Sequence, residues 1–141
     1  GELLIVTQNV DDLHERAGAR RLLHMHGELK SALCTSCEMR SPWNAPMSDC
    51  PPCPVCRAPT LRPDVVWFGE MPYQMDRIYA ALRNADLFVS IGTSGAVYPA
   101  AGLINYYRGH KLVLVNKGVT SADSYADLVI HEKIGEVFSQ L

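Results

Sequence analysis

All cysteines of this 141-residue chain fall within one short stretch, and their spacing limits how that stretch can fold. Cys34 and Cys37 form one Cys-x2-Cys pair, and Cys53 and Cys56 form a second pair after 15 intervening residues. Two such pairs can place four thiolates around one Zn2+ ion, and four protein ligands leave no open coordination position. The spacing therefore predicts one structural zinc ion.

The fifth cysteine leaves the second pair open to an alternative. Cys50 and Cys53 also have the Cys-x2-Cys spacing, so Cys50 could replace Cys56 as a ligand. We favour the pair of Cys53 and Cys56, which leaves Cys50 unligated in a proline-rich loop. A reduced cluster without metal is the remaining alternative.

Residues 30–63 differ in composition from the rest of the chain. They are rich in proline and contain few large aliphatic side chains, so their apolar surface is too small to build a core by itself. We therefore predict a small zinc-binding subdomain over residues 30–63. It would be inserted into a larger domain made of residues 1–29 and 64–141.

The rest of the chain alternates short apolar runs with segments of helical periodicity. The apolar runs predict strands at residues 3–6, 22–23, 87–91, 112–115 and 128–130. The helical spacing predicts helices at residues 10–21, 75–84, 99–107 and 133–141. Strands that alternate with helices form parallel sheets, and all-apolar strands are typical of sheets covered on both faces. The predicted fold class is α/β, with a partial Rossmann-like parallel sheet and helices on both faces.

Charge and hydropathy exclude two classes of partner. The formal net charge of −2 provides no basic surface for DNA or RNA. No stretch approaches the roughly 20 apolar residues that span a bilayer. Tightly clustered cysteines are typical of metal binding in a reducing compartment. We expect a cytoplasmic protein without nucleic-acid or membrane partners.

Polar residues are concentrated after two of the apolar runs. Thr7-Gln8-Asn9-Val10-Asp11 follows the first strand, and His26-Gly27 comes soon after the second. Ligands of open α/β sheets bind at the carboxyl ends of parallel strands. Imidazole suits proton transfer near neutral pH, so His26 is the candidate general base. The alternatives are a histidine without a function, and Asn9 or Asp11 as a helix N-cap.

Two further polar segments follow buried strands. Gly92-Thr93-Ser94 comes after the strand at residues 87–91, and Asn116-Lys117-Gly118 comes after the strand at residues 112–115. Their amides, hydroxyls and side-chain amide can meet a phosphate or a ribose. Ordinary strand-to-helix turns explain the first segment equally well. The histidines other than His26 are expected to have no functional role.

These motifs, in this order, resemble those of the sirtuins, which are NAD-dependent protein-lysine deacylases. The matching segments are residues 7–11, His26-Gly27, the two cysteine pairs, Leu61-Arg62-Pro63-Asp64-Val65-Val66-Trp67-Phe68-Gly69-Glu70, Gly92-Thr93-Ser94 and Asn116. The resemblance covers essentially the whole chain. It is closest to bacterial sirtuins of the desuccinylase and deacetylase type around residues 66–72 and 92–101.

The resemblance also implies roles for the matched residues. His26 would be the general base, and Asn9 would assist catalysis as well as bind ribose. NAD would be the co-substrate, and an acylated-lysine peptide or protein would be the substrate. The residues implied in NAD binding are Gln8, Asn9, Asp11, Gly92, Thr93, Ser94, Asn116, Lys117, Gly118 and Ile134. Those implied in substrate binding are Val66, Phe68, Gly69 and Val97.

Two sirtuin features are missing from this sequence. It has neither the Gly-Ala-Gly-x-Ser turn that holds the NAD phosphates nor the Tyr-x-x-Arg pair of members that remove acidic acyl groups. By resemblance, the missing strand lies between the strands at residues 3–6 and 87–91, which would leave both with an unpaired edge. We expect a complementing N-terminal segment to be a partner and the chain alone to be poorly active. The alternative function is a non-catalytic zinc-containing partner or regulatory module.

Overall fold

The computed structural model describes residues 1–48 and 51–140. The chain forms two compact units, Gly1–Met75 and Asp76–Leu141. Cys50, the alternative zinc ligand, lies outside the described residues. Within the described ranges, no helix is long and apolar enough to cross a membrane.

The first unit begins with two parallel strands. β1 (Ile5–Thr7) is paired with β2 (Leu22–His24) so that Thr7 lies opposite His24. The pairing continues one residue further, because the Met25 amide donates a hydrogen bond to the Thr7 carbonyl at 3.0 Å. The polar residues that follow both strands therefore lie at the same end of the pair.

The helix between these strands is shorter than predicted. α1 is a single turn, Leu13–Arg16, whereas helical spacing predicts residues 10–21. It begins late because the Asp11 carboxylate accepts a hydrogen bond from the Leu13 amide at 3.0 Å, which fixes a turn before the helix. It ends early because Gly18 has a φ of +90°, a conformation that terminates helices.

An antiparallel sheet occupies most of the proline-rich region. β3 (Gly27–Cys34) is central, with β4 (Arg40–Pro42) on one side and β5 (Leu61–Val65) on the other. Its small core consists of Ala32, Cys34, Cys53 and Leu61, against which Met39, Trp43 and Met47 pack. The composition indicates a loop-rich region, but strand pairing and the clustered cysteines organise it around this sheet.

The buried carboxylate of Asp64 ties this sheet together. Asp64 is 5% exposed. It accepts hydrogen bonds from the Ser31 hydroxyl (3.2 Å), the Arg40 guanidinium (3.3 Å) and the Tyr73 hydroxyl (2.9 Å). A buried carboxylate is unfavourable without such partners. The donors come from β3, β4 and the chain after β5, so one side chain fixes the relative positions of all three.

One helix has the predicted bounds. α2 spans Met75–Asn84. Its buried positions are Met75, Ile78 and Leu82, which are three or four residues apart and form one apolar stripe. Helical spacing alone predicts both the length and the buried side of this segment.

The second unit is built on a parallel sheet. β6 (Leu87–Ile91), β7 (Lys111–Val115) and β8 (Leu128–Ile130) are paired in the order β6-β7-β8. The connections contain 3-10 helices at Ala100–Tyr106 and Asp123–Tyr125, and α3 (Ile134–Phe138) follows β8. The parallel strands of both units confirm the predicted α/β, Rossmann-like class.

The exposure of β6 differs from the prediction. An all-apolar strand predicts cover on both faces, but Leu87, Val89 and Ile91 are 53%, 37% and 43% exposed. The reason is that β6 is an edge strand, which pairs only with β7 in the described part of the chain. On its other side, no neighbouring strand among the described residues contributes side chains that would cover those of β6. The side chains that alternate along this edge are therefore apolar but accessible.

Candidate metal centre and ligand-binding residues

The four predicted zinc ligands converge in the first unit. The Sγ atoms of Cys34 and Cys56 are 3.6 Å apart, and those of Cys37 and Cys53 are 3.7 Å apart. All four sulfurs lie within 4.8 Å of one another. Tetrahedral zinc with Zn–S bonds of about 2.3 Å requires sulfur–sulfur separations of about 3.8 Å. The four cysteines are thus positioned to bind one structural metal ion, and the spacing fits zinc.

Both cysteine pairs are held by the same backbone turn. The Glu38 amide donates to the Cys34 carbonyl at 2.9 Å, and the Arg57 amide donates to the Cys53 carbonyl at 2.9 Å. In each pair, the amide of the first cysteine also donates to the carbonyl five residues later at 2.9 Å. Glu38 and Arg57 both have positive φ, 58° and 63°. The repeated turn presents two thiols in the same way from each half of the site.

The surroundings of the thiols favour a bound cation. A hydrogen bond with the Thr60 hydroxyl lowers the pKa of Cys34 to about 6. The Met39 amide lowers the pKa of Cys37, but desolvation and the neighbouring sulfurs outweigh it and raise that pKa to about 12. Neighbouring thiolates repel one another, and a bound dication offsets this repulsion because thiolates bind it. The cluster is therefore suited to hold a metal ion that stabilises the fold.

Hydrogen bonds fix residues 7–11 at the end of the parallel strands. The Thr7 hydroxyl accepts from the Asn9 amide at 3.0 Å, and the Val10 carbonyl accepts from the Leu29 amide at 2.9 Å. The side-chain amides of Gln8 and Asn9 have no hydrogen-bond partner within residues 1–48 and 51–140. The backbone of this segment is held while two predicted ligand-binding side chains remain accessible.

The predicted base adjoins the predicted substrate-binding segment. The His26 carbonyl accepts a hydrogen bond from the Val66 amide at 2.9 Å. The half-buried His26 imidazole has no hydrogen-bond partner in the described part of the chain. Gly27, the next residue, has a φ of +78° and packs against the backbone of Asp64. The backbone of His26 is thus fixed, and its ring is available to another molecule.

The substrate-binding segment forms a turn with exposed aromatic rings. Phe68 is 100% exposed and Trp67 is 58% exposed. The Glu70 carboxylate accepts from the Trp67 amide at 3.0 Å and from the Arg62 guanidinium at 2.8 Å. Arg62 also donates to the Val65 carbonyl at 3.1 Å and lies over the Trp67 ring. The hydrogen bonds from the Trp67 amide and Arg62 lower the pKa of Glu70. The ion pair of Arg62 and Glu70, which the sequence does not predict, therefore stabilises this turn.

His24 has partners that its sequence position does not indicate. Its Nδ1 is 3.1 Å from the Asn9 carbonyl oxygen, and its Nε2 is 2.7 Å from Oε1 of Glu15. Glu15, His24 and Glu28 place potential ligand atoms within 4.8 Å of one another. Because Nε2 is already hydrogen-bonded to Glu15, we interpret this group as an ion pair. No spacing rule links residue 15 to residue 24, so the sequence offers no signal for it.

In the second unit, predicted NAD-binding residues lie at the carboxyl ends of β6 and β7. The Gly92 amide donates to the Val115 carbonyl at 2.9 Å, and the Asn116 side chain donates to the Gly118 carbonyl at 2.9 Å. Thr93 and Asn116 line the same cleft. The end of β6 and the end of β7 are thereby joined around one recess.

Not all of the remaining predicted residues of this unit lie at that recess. A β-carbon at Gly92 would lie 2.8 Å from Cδ1 of Ile134, so α3 packs against the Gly92 turn. Ser94, Val97 and Lys117 are exposed and do not line the cleft.

The predicted site residues are thus divided between the two units. The first unit contains Gln8, Asn9, Asp11, His26, Val66, Phe68 and Gly69 together with the four zinc ligands. The second unit contains Gly92, Thr93, Ser94, Val97, Asn116, Lys117, Gly118 and Ile134.

Comparison with known proteins identifies the family. The profile of the Sir2 family matches residues 1–99. This chain belongs to the Sir2 family. An NAD-dependent protein deacylase of Shewanella oneidensis is 49% identical over 144 residues, which is 100% of this chain and 59% of that relative. The chain therefore spans little more than half the length of this relative.

Solved Sir2 structures share the fold. A crystal structure of a Sir2 homologue–NAD complex has a TM-score of 0.90 and 39% identity, over 98% of this chain and 56% of that one. A Sir2–p53 peptide–NAD+ structure has a TM-score of 0.84 and 32% identity, over 98% of this chain and 61% of that one. The sirtuin resemblance in the sequence is confirmed at the level of family and fold.

Proposed function

We propose that this chain acts as an NAD-dependent protein-lysine deacylase, with His26 as the general base. The observation that carries the proposal is the backbone hydrogen bond that joins His26 to Val66. It connects the backbone of His26, whose imidazole has no partner among the described residues, to the segment at residues 66–69 in a chain of the Sir2 family. The name of the Shewanella oneidensis relative supports the same activity.

The proposed roles come from the sirtuin resemblance, and they agree with which polar groups remain accessible. NAD supplies the ribose that takes up the acyl group, with release of nicotinamide. His26 accepts a proton from a ribose hydroxyl, which suits an imidazole near neutral pH. Gln8 and Asn9 bind the ribose through their side-chain amides. Asp11 binds the nicotinamide amide as well as accepting the hydrogen bond from the Leu13 amide, since a carboxylate has several acceptor sites.

We also assign NAD contacts to residues of the second unit. We assign ribose and phosphate contacts to the turns after β6 and β7, because Thr93 and Asn116 line one cleft there. Ile134 would pack beside them. The other residues assigned to NAD in this unit are Gly92, Ser94, Lys117 and Gly118.

The substrate is an acylated-lysine peptide or protein in this proposal. Val66, Phe68, Gly69 and Val97 would contact it, and the fully exposed ring of Phe68 offers apolar surface for the lysine side chain and acyl group. An extended peptide can add to accessible backbone as an extra strand. The related Sir2 structure that contains a p53 peptide and NAD+ supports a peptide substrate.

A complementing N-terminal segment is the further partner we propose. It would supply the phosphate-binding turn and pair with the accessible edge of β6, where Leu87, Val89 and Ile91 are exposed. We place the assembled protein in the cytoplasm, without nucleic-acid or membrane partners. The second candidate function is a non-catalytic zinc-containing module, which the four converging cysteines support.

Nicotinamide release distinguishes these two functions. The chain is incubated with NAD and acetyl-lysine or succinyl-lysine peptides, alone and with a segment that contains the family's Gly-Ala-Gly-x-Ser turn. The deacylase proposal expects turnover with the segment, and His26→Ala should lower it about 10²–10⁴-fold. His110→Gln is the control, because the exposed His110 imidazole has no partner among the described residues. No turnover in any mixture would favour the non-catalytic module.

A further inference from the structure

Both ring nitrogens of His24 face hydrogen-bond acceptors. Nδ1 is 3.1 Å from the backbone carbonyl oxygen of Asn9, and Nε2 is 2.7 Å from a carboxylate oxygen of Glu15. A carbonyl oxygen only accepts, and an ionised carboxylate only accepts. A neutral imidazole has one N–H group and can satisfy only one of them. With an ionised Glu15, only the doubly protonated ring can donate to both acceptors at once.

We propose that protonated His24 is a positioning residue, which holds the Asn9 backbone in place while Glu15 orients the His24 ring. This inference rests on the proposed function, because Asn9 is assigned there to the ribose of NAD. His24 itself would touch neither NAD nor the substrate. It would act by fixing the direction in which the Asn9 side chain leaves the backbone.

The neighbouring hydrogen bonds explain why Asn9 needs this contact. The segment is anchored on either side by the carbonyls of Thr7 and Val10, which accept from Met25 and Leu29. Asn9 is exposed between these anchors, and its carbonyl has His24 as its partner. The Asn9 amide is held by the Thr7 hydroxyl, but without the His24 bond the peptide group that follows the Asn9 Cα would have no partner for its carbonyl. The side-chain amide, which has no partner of its own in the described residues, would then lose its fixed direction.

The charges around His24 support the protonated form. Burial lowers the pKa of His24, but the hydrogen bond with Glu15, the Asn9 carbonyl and the charge of Glu28 together raise it above its ordinary value. Glu15 comes from α1 and Glu28 from β3. Arg40, Asp64 and Tyr73 line the same cleft as His24. Of these, Asp64 already accepts hydrogen bonds from Arg40 and Tyr73, which offset its charge.

Nuclear magnetic resonance of the chain tests the positioning directly. In ¹⁵N-labelled protein, both ring nitrogens of His24 should have imidazolium shifts below its pKa, and the backbone amide of Val10, which follows the Asn9 carbonyl, should titrate with the same midpoint. Glu15→Gln should move that midpoint to lower pH. His24→Gln should abolish the titration at Val10, whereas His110→Gln should leave it unchanged. An amide that does not follow His24 would overturn the proposal.

Kinetics of the complemented enzyme give the second readout. His24→Gln removes the charge but keeps a donor, so we expect kcat/KM for NAD to fall about tenfold, as for loss of one charged hydrogen bond. The loss should grow at low pH, where only the wild type has the charged contact. Equal kcat/KM in His24→Gln and wild type at every pH would also overturn the proposal. A wild type without any turnover would refute the proposed function alone, because the Val10 titration still decides whether His24 positions Asn9.

Discussion

Replacement of Gly27 by alanine should be the most disruptive single-methyl change near the predicted base. A β-carbon at Gly27 would lie 1.9 Å from the backbone oxygen of Asp64 and 3.1 Å from the Cα of Val65. Both contacts are with backbone atoms of the neighbouring strand, which cannot rotate away as a side chain would. The residue also has a φ of +78°, where alanine is strained. Two separate penalties therefore act at one position.

The structure allows these penalties to be separated. Left-handed backbone costs a non-glycine residue about 1–2 kcal/mol. Forcing extra volume between packed strands typically costs about 1–3 kcal/mol more. We therefore expect Gly27→Ala to lower the free energy of unfolding by about 2–5 kcal/mol. Gly18 is the matched control, because it has a φ of +90° but nothing within 4 Å of the position that a β-carbon would take. Gly18→Ala should lower the free energy of unfolding only by the cost of left-handed backbone, about 1–2 kcal/mol.

Urea unfolding of the zinc-loaded chain measures both variants. The midpoint should fall further for Gly27→Ala than for Gly18→Ala, with similar m-values. The complemented enzyme should also lose activity with Gly27→Ala, because β5 must move away from β3 beside His26. Equal destabilisation by the two substitutions would refute the reasoning, since it would mean that the strand contact at Gly27 carries no cost.

Three further outcomes are expected. Metal analysis should find about one zinc per chain, as one four-thiolate site requires, and the double variant Cys34→Ser with Cys53→Ser should lose it; retained zinc would contradict the site. The stability contributed by protonated His24 should be fully present below pH 6.5, its ordinary pKa, and should be lost as the pH rises through its raised pKa in the folded protein. The difference in unfolding free energy between wild type and His24→Gln should therefore shrink with rising pH. Glu70→Gln should weaken the bracing by Arg62 and raise KM for the acylated peptide several-fold with little change in zinc content, and an unchanged KM would argue against this role.

Periodic segments of the chain are predictable from the sequence because their signal is local. The bounds of α2 follow from apolar residues three and four apart, and those of β6 from an unbroken apolar run. Two short spacings also predict the four cysteines of the metal site, with Cys50 as an alternative. The structure confirms the bounds of α2 and β6 and brings Cys34, Cys37, Cys53 and Cys56 together.

Contacts between distant residues are not visible in the sequence. The exposure of β6 depends on which strands are paired with it, and the residues of β6 themselves do not determine this pairing. The ion pair of Glu15 and His24 and the bracing of the Trp67 turn by Arg62 depend on the path of the backbone. The short α1 depends on a competing side-chain hydrogen bond from the Leu13 amide to Asp11, which helical periodicity does not measure.

β3 connects two candidate functional regions of the first unit. The strand has the turn of the predicted base at one end, at Gly27, and the first metal ligand, Cys34, at the other. These ends pair with Val65 and Leu61 of β5, which are four residues apart, so at about 3.4 Å per residue they are separated by about 14 Å. Asp64 contacts both regions, through its backbone at Gly27 and through its carboxylate at Arg40, just beyond the first cysteine pair. Because Asp64 contacts both regions, we expect removal of the metal to weaken the pairing of β3 with β5 at Gly27, beside His26.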